Sequence, residues 1–264
     1  MNAVLRVARA ELRRFTRPAY ALSAVVLPAF FAALVTFLTF NVATGNSTAG
    51  APPGGTTVSA ATLARHTGYF QGVAQSFTFL GVIVVVLSAM AVATDYGQGT
   101  LRNLLVRQPS RWRLLGGKLL ALAVLVSASA VAASVAGTLT AYLVAGGYGV
   151  STTAWSLASI LPRVAGLAGG LLGWAAIGAL LATVLRSVPA AIGIAVGWAL
   201  PVETIVGAVW KSGKAWFPGG VFEAIASAGT STLSLSRALI VGAAYLTVSV
   251  AAGLTVFTRR EVTA

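Results

Sequence analysis

The side chains able to do chemistry are few, and most of them are basic. Eighteen Lys and Arg stand against five Asp and Glu, one His and no Cys. The absence of cysteine excludes disulfides, thiol catalysis and thiolate zinc sites. The five acids include no closely spaced pair suited to general acid–base work. His66 lies in a polar loop, where a solvated histidine is expected rather than the centre of a metal site or a Ser/His relay. No G-x-S-x-G elbow is present. No G-x-x-x-x-G-K-[ST] phosphate loop is present either: around Lys118, Trp112 stands where the first glycine belongs and Leu119 where the hydroxyl belongs. The chain is therefore not expected to be an enzyme or to hold a cofactor, and any ATP chemistry must belong to another polypeptide.

Patterned polar chemistry is concentrated in two places. The first is residues 93 to 120, where Arg102, Arg107, Arg111, Arg113 and Lys118 face a single acid, Asp95. Gly99 and Thr100 can start a short helix with Thr100 as its N-cap, and Pro109 ends it. Leu101, Leu104 and Leu105 on one flank, with Arg102 and Arg107 nearby, make a surface suited to a groove on a soluble partner; the alternative is an interfacial linker whose leucines face lipid. Ser110 is expected to cap the next helix, and Trp112 and Lys118 to sit at interface depth. The second place is Glu203, just after Pro201 in an apolar run. An acid at membrane depth is costly unless paired or wet, so Glu203 is either a gate or the partner of Lys211 or Lys214, and pairing is preferred.

The elements holding these residues are written for lipid. The chain is 57% hydrophobic and 9% charged, outside the soluble range of about 45–50% apolar and about 25% charged. Six runs, near 19–40, 73–94, 119–145, 164–185, 188–209 and 238–257, have the roughly 17–25 residues that a membrane-crossing helix needs. The fold class expected is an all-α, six-span membrane protein forming one domain over 1–264. The first apolar run has spanning length and a long basic prelude, so it is expected to be retained rather than cleaved. Pro28 should kink it.

Residues 1–18 carry an amphipathic pattern, with Val4, Leu5, Ala8, Leu12 and Phe15 on one face and Arg6, Arg9, Arg13 and Arg17 on the other. This helix is expected to lie along the inner membrane surface, either as a topology anchor or in contact with a partner. Arg111, Trp112 and Lys118 join it as interface residues. Thirteen basic residues then fall on one side and five on the other, which places both termini in the cytoplasm. Their position beside apolar runs argues for topology rather than nucleic-acid binding. Glycine pairs 166/170 and 169/173 in the fourth run favour close helix packing without naming a dimer face. Residues 202–236 are too apolar for an ordinary loop and too interrupted for a span, so short external re-entrant or interfacial helices are expected there.

The string D-Y-x-x-G-T-L-x-x-L-L-x-x-x-P-x-x-R-W-x-L-L-x-x-K-L-L, beginning at Asp95, resembles the loop between the second and third membrane helices of ABC-2 type permeases. These are membrane subunits of one class of ATP-binding-cassette exporters. The segment 11–30, a basic helix leading into a proline-containing span, is similar to the same family. The resemblance implies that residues 95–112 form a coupling loop held in a cleft of an ATP-binding subunit, with Asp95, Gly99, Thr100 and Leu101 at its entry and Arg102, Leu104, Leu105, Arg107 and Pro109 in its body. The family usually has Glu where this chain has Asp95, which keeps the charge and shortens its reach by one methylene. The resemblance also implies a second permease subunit, identical or homologous, ATP and Mg²⁺ on the partner ATPase, and residence in a bacterial inner membrane. The function expected is export of a hydrophobic or amphiphilic substrate, with spans two and five lining its path. The rivals are an ion-coupled secondary transporter, an intramembrane enzyme, and a non-transporting immunity or assembly protein.

Overall fold

The computed structural model describes residues 3–16, 18–45, 57–97, 106 and 110–259, and among these every regular element is helical. Six helices are long and apolar enough to cross a membrane, the pattern of a multi-pass membrane protein: Leu22–Ala43, Phe77–Tyr96, Arg111–Ala145, Leu157–Leu185, Val188–Val209 and Leu235–Arg259. They overlap the six apolar runs of the sequence. Around them we number α1 (Ala3–Phe15), α2 (Pro18–Ala21), α3 (Leu27–Ala43), α4 (Ala60–Leu63), α5 (Gln71–Gln75) and α6 (Phe77–Gly97). Next come α7 (Arg111–Ala145), α8 (Ile160–Leu185), α9 (Val188–Gly197), α10 (Glu203–Val209), α11 (Pro218–Ala226) and α12 (Leu235–Arg259).

Helix α7 starts at Arg111, earlier than its apolar stretch. Its 35 residues span about 52 Å, well beyond a hydrocarbon core of about 30 Å. Ser110 occupies its N-cap position by backbone, but its side chain makes no capping bond, contrary to expectation.

Both expected proline breaks are π-helical turns. Leu22–Val26 precedes α3, and Trp198–Val202, containing Pro201, joins α9 to α10. Pro28 has no N–H for the Ala24 carbonyl four residues back. The Ser129 hydroxyl of α7 donates to that oxygen at 2.6 Å instead. The bend in the first span is thereby satisfied by the third.

Small residues set the close packing. On α7, Ser129, Ala130, Ala133, Gly137 and Ala141 are buried, and a Cβ at Gly137 would stand 2.4 Å from Val73 Cγ2. The glycine pairs of α8 form a notch for α11. A Cβ at Gly166 would lie 2.7 Å from the Ile225 carbonyl, and one at Gly170 would lie 2.6 Å from the Phe222 carbonyl. These pairs therefore seat a helix of the same chain. Helix α11 packs against α8 there, with Val221, Phe222, Ala224 and Ile225 buried.

Candidate functional site

Asp95, Lys118, Glu11 and Arg14 meet at one end of the bundle. The periodicity of α1 puts Ala8, Glu11 and Phe15 on one buried face, and Arg14 follows Glu11 by three residues, on the same side of the helix. Of the expected apolar face, Ala8 and Phe15 are buried and Leu5 is exposed, and Glu11 joins the buried side. Gly117 explains how α1 comes so close to α7, since a Cβ there would stand 2.6 Å from Val7 Cβ.

Lys118 Nζ donates to Glu11 Oε1 at 2.6 Å and also pairs with Asp95 Oδ2. Arg14 donates to Asp95 Oδ1 at 3.0 Å and lies 3.9 Å from Glu11 Oε2. Asp95, Lys118 and Glu11 are 3%, 5% and 8% exposed, so Lys118, expected at interface depth, is a buried ion-pair residue. Two acids and two bases make the cluster neutral, which is what lets charges leave water at all. Burial works against the Arg14 charge, but the attraction and hydrogen bond of Asp95 outweigh it and hold the guanidinium above its ordinary range.

The neighbouring residue widens this junction. Tyr96 meets Phe257 of α12 edge-on at 6.3 Å, and Arg186, in the turn between α8 and α9, lies 5.6 Å over the Tyr96 ring. Arg186 takes a left-handed conformation at φ 53°, which closes that turn tightly, as its short length leads one to expect. Asp95 and Tyr96 thus bind α6 to α1, α7, α12 and the α8–α9 turn. Arg6, Arg9 and Arg13 are exposed on the rim, as is Trp112 with Arg113 over its ring; Arg111 is half-buried. Gly99, Thr100, Leu101, Arg102, Leu104, Leu105, Arg107 and Pro109 lie outside the described residues, as does Arg17.

The second site surrounds Glu203, which is 6% exposed. Its carboxylate accepts the backbone N–H groups of Gly220 at 2.7 Å and Gly219 at 3.0 Å, at the start of α11. Helix N-termini favour anions because their first amides point outward unpaired. Glycine at 219 lets the carboxylate come this close, since a Cβ there would sit 2.6 Å from Glu203 Oε1 and push that side chain aside. Backbone amides thus partner the Glu203 carboxylate. The side chains of Lys211 and Lys214 lie outside the described residues.

Glu203 lines a cavity of about 700 Å³ between α6, α8, α9, α10 and α11, with Phe77, Trp174, Ala199 and Glu223 among its walls. A second cavity of about 360 Å³ lies on the other side of Gly220 and Glu223, and its lining is polar, with Gln71, Gln75, Arg163 and Thr230. Arg163 donates to the Ser227 carbonyl at 3.2 Å and so is held against the end of α11. Sequence reasoning missed Glu11, Arg14, Trp174 and Glu223. The one local hint was the Pro-Gly-Gly start of α11, which suits an anion near a helix N-terminus. His66 is exposed, and no group of three or more His, Asp or Glu able to hold a metal occurs among the described residues.

No curated protein matches the chain. Residues 29–263 match the family described as "Protein of unknown function (DUF2705)", and since that match takes in most of the 264 residues, the chain belongs to this family.

Proposed function

We propose that the chain is the permease subunit of an ATP-driven exporter in a bacterial inner membrane, working with a separate ATP-binding subunit and a second permease subunit. The observation that carries this reading is the neutral, buried cluster at Asp95. The string resembling a coupling loop begins at the residue that Lys118 and Arg14 lock to α1 and α7. A push on residues 99–109 would be delivered to α6 and α7 together, because both ends of the loop are tied within one ion cluster. The excess of basic residues at this end supports a cytoplasmic position for it and for both termini. The broken segment 202–236 is then external and re-entrant, and the Glu203 cavity between spans two and five is the substrate path.

The test is co-purification and transport with the intact chain. Replacing Leu104 and Leu105 together by Asp should abolish ATPase capture and export while leaving the chain folded. Capture and export at wild-type levels in that double variant would end the coupling reading.

A specific observation favours a second reading, an ion-coupled carrier: an acid stands beside a helix break, Glu203 after the π turn at Pro201. Transport that persists without ATP and collapses with the proton gradient would select it.

A further inference from the structure

The two cavities share a wall at the start of α11, and their linings differ in kind. The larger follows α6 from Phe77 to Val85, roughly 12 Å of helix rise. Its lining there is chiefly apolar, with Phe77, Val82, Trp174 and Ala199. The smaller lies at the end of the bundle where α6 and α8 begin, and it is lined chiefly by amides and hydroxyls, Thr67, Gln71, Gln75, Thr230, Ser231 and Thr232. Its charged residues are one base and one acid, Arg163 and Glu223, so their formal charges cancel.

Both banks of the polar recess are fixed by the fold. Helix α5 sets Gln71 and Gln75 four residues apart, on one face. The opposite bank is the chain reversal after α11, where Gly229 at φ 105° donates its N–H to the Ala224 carbonyl at 2.7 Å. Leu233 N–H then donates to Thr230 Oγ1 at 3.2 Å, and the Thr230 and Thr232 hydroxyls lie 3.2 Å apart. Arg163 is tied to the same reversal through the Ser227 carbonyl. In the apolar cavity, Trp174 is a fixed wall, edge-on to Phe222 at 5.6 Å. Gly81 leaves that ring room, since a Cβ at 81 would stand 3.0 Å from it.

We infer that the two cavities form one bipartite site for a single-chain amphiphile with an uncharged, polyhydroxylated head, its chain along α6 beside Trp174 and its head among Gln71, Thr230 and Thr232. Volumes of about 700 and 360 Å³ are each in the range of small-molecule sites. An alkyl chain gains by leaving water for the apolar part. Hydroxyls and amides both donate and accept, as a polyhydroxylated head does, so the polar part suits it without any ion pair. A head of either charge meets one like and one opposite charge there, so it gains little to offset its lost water. Because the polar groups are held by the fold, little ordering cost falls on binding.

The inference rests on the permease reading only in calling this ligand a cargo; binding itself is independent of any ATPase. The full chain in phosphatidylcholine nanodiscs is titrated calorimetrically with dodecyl maltoside below its micelle-forming concentration, with empty nanodiscs as the partition background. Dodecyl sulfate, dodecyltrimethylammonium and dodecylphosphocholine are titrated in parallel, keeping the chain and changing the head. Saturable binding of the maltoside is expected, with each charged or zwitterionic head at least roughly tenfold weaker. Ala199→Phe should remove binding by filling the apolar part. Gln71→Leu, at a half-buried position that leaves the bundle folded, should weaken the maltoside by about fivefold, the loss of one neutral hydrogen bond. Equal or tighter binding of another head, no saturable binding of the maltoside, or wild-type affinity in Gln71→Leu overturns the inference. ATPase capture, scored separately on the same preparations, decides the permease reading: capture without maltoside binding sinks only the inference, and maltoside binding without capture sinks only the permease.

Discussion

The junction at Asp95 and the cavity at Glu203 both bury acid in an apolar chain, two acids at the first and one at the second, yet they satisfy it differently. At the junction, side chains from three helices cancel one another, and Lys118 has only 5% exposure. At the cavity, Glu203 is met by backbone amides, and open volume lies beside it. Cancellation by side chains fixes helices to one another and leaves nothing for a ligand. Acceptance of helix-terminal amides satisfies a carboxylate while open volume remains beside it. The difference separates a fixed joint from a carboxylate beside open volume.

Breaking each region should therefore give effects of different size. Lys118→Met strands Asp95 and Glu11 in an apolar environment and should cost about 3–5 kcal/mol, the range for removing one partner of a buried pair. Thermal unfolding in detergent measures it, and a loss below ~1 kcal/mol would mean that water reaches the cluster. Gly170→Ala comes next. Its Cβ would press on the Phe222 carbonyl, which as backbone cannot swing away, so a loss of about 1–3 kcal/mol and displacement of α11 are expected. Cross-linking between cysteines placed on α8 and α11 would detect the shift, and unchanged yield would refute the tight seating. Glu203→Gln should be the mildest, near ~1 kcal/mol, because the amide oxygen still accepts one α11 N–H. If its loss equalled that of Lys118→Met, the two regions would not differ in kind.

Much of the scaffold was legible because its signals are local. Apolar runs of spanning length located all six long helices, and Pro28 and Pro201 marked the two breaks, since a missing N–H acts within one turn. The junction was illegible for the opposite reason: Glu11 lies 107 residues from Lys118 and Arg14 lies 81 from Asp95, and periodicity carries no information about which helices become neighbours. The same blindness hid the place of Glu11 on the buried side of α1, because an acid is a sensible core residue only when a buried lysine meets it. The burial of Lys118 against Glu11 and Asp95 was illegible on identical grounds. For Glu203, the cost of burying an acid called for a partner, and the amides at the glycine-led start of α11, which pattern alone did not single out, are one.

Ser129 has a consequence for motion. It stands eleven residues after Lys118 on α7, about three turns on and on nearly the same face. Lys118 fastens α1 through Glu11, and Ser129 fastens the π turn through the Ala24 carbonyl. The third long helix thus rivets the N-terminal segment at two heights, and a bend that could have been a hinge becomes a fixed elbow. Residues 3–43 cannot swing away from α7 without exposing both an ionised lysine and an orphaned carbonyl, so the two should travel as a single strut in any rearrangement of the bundle.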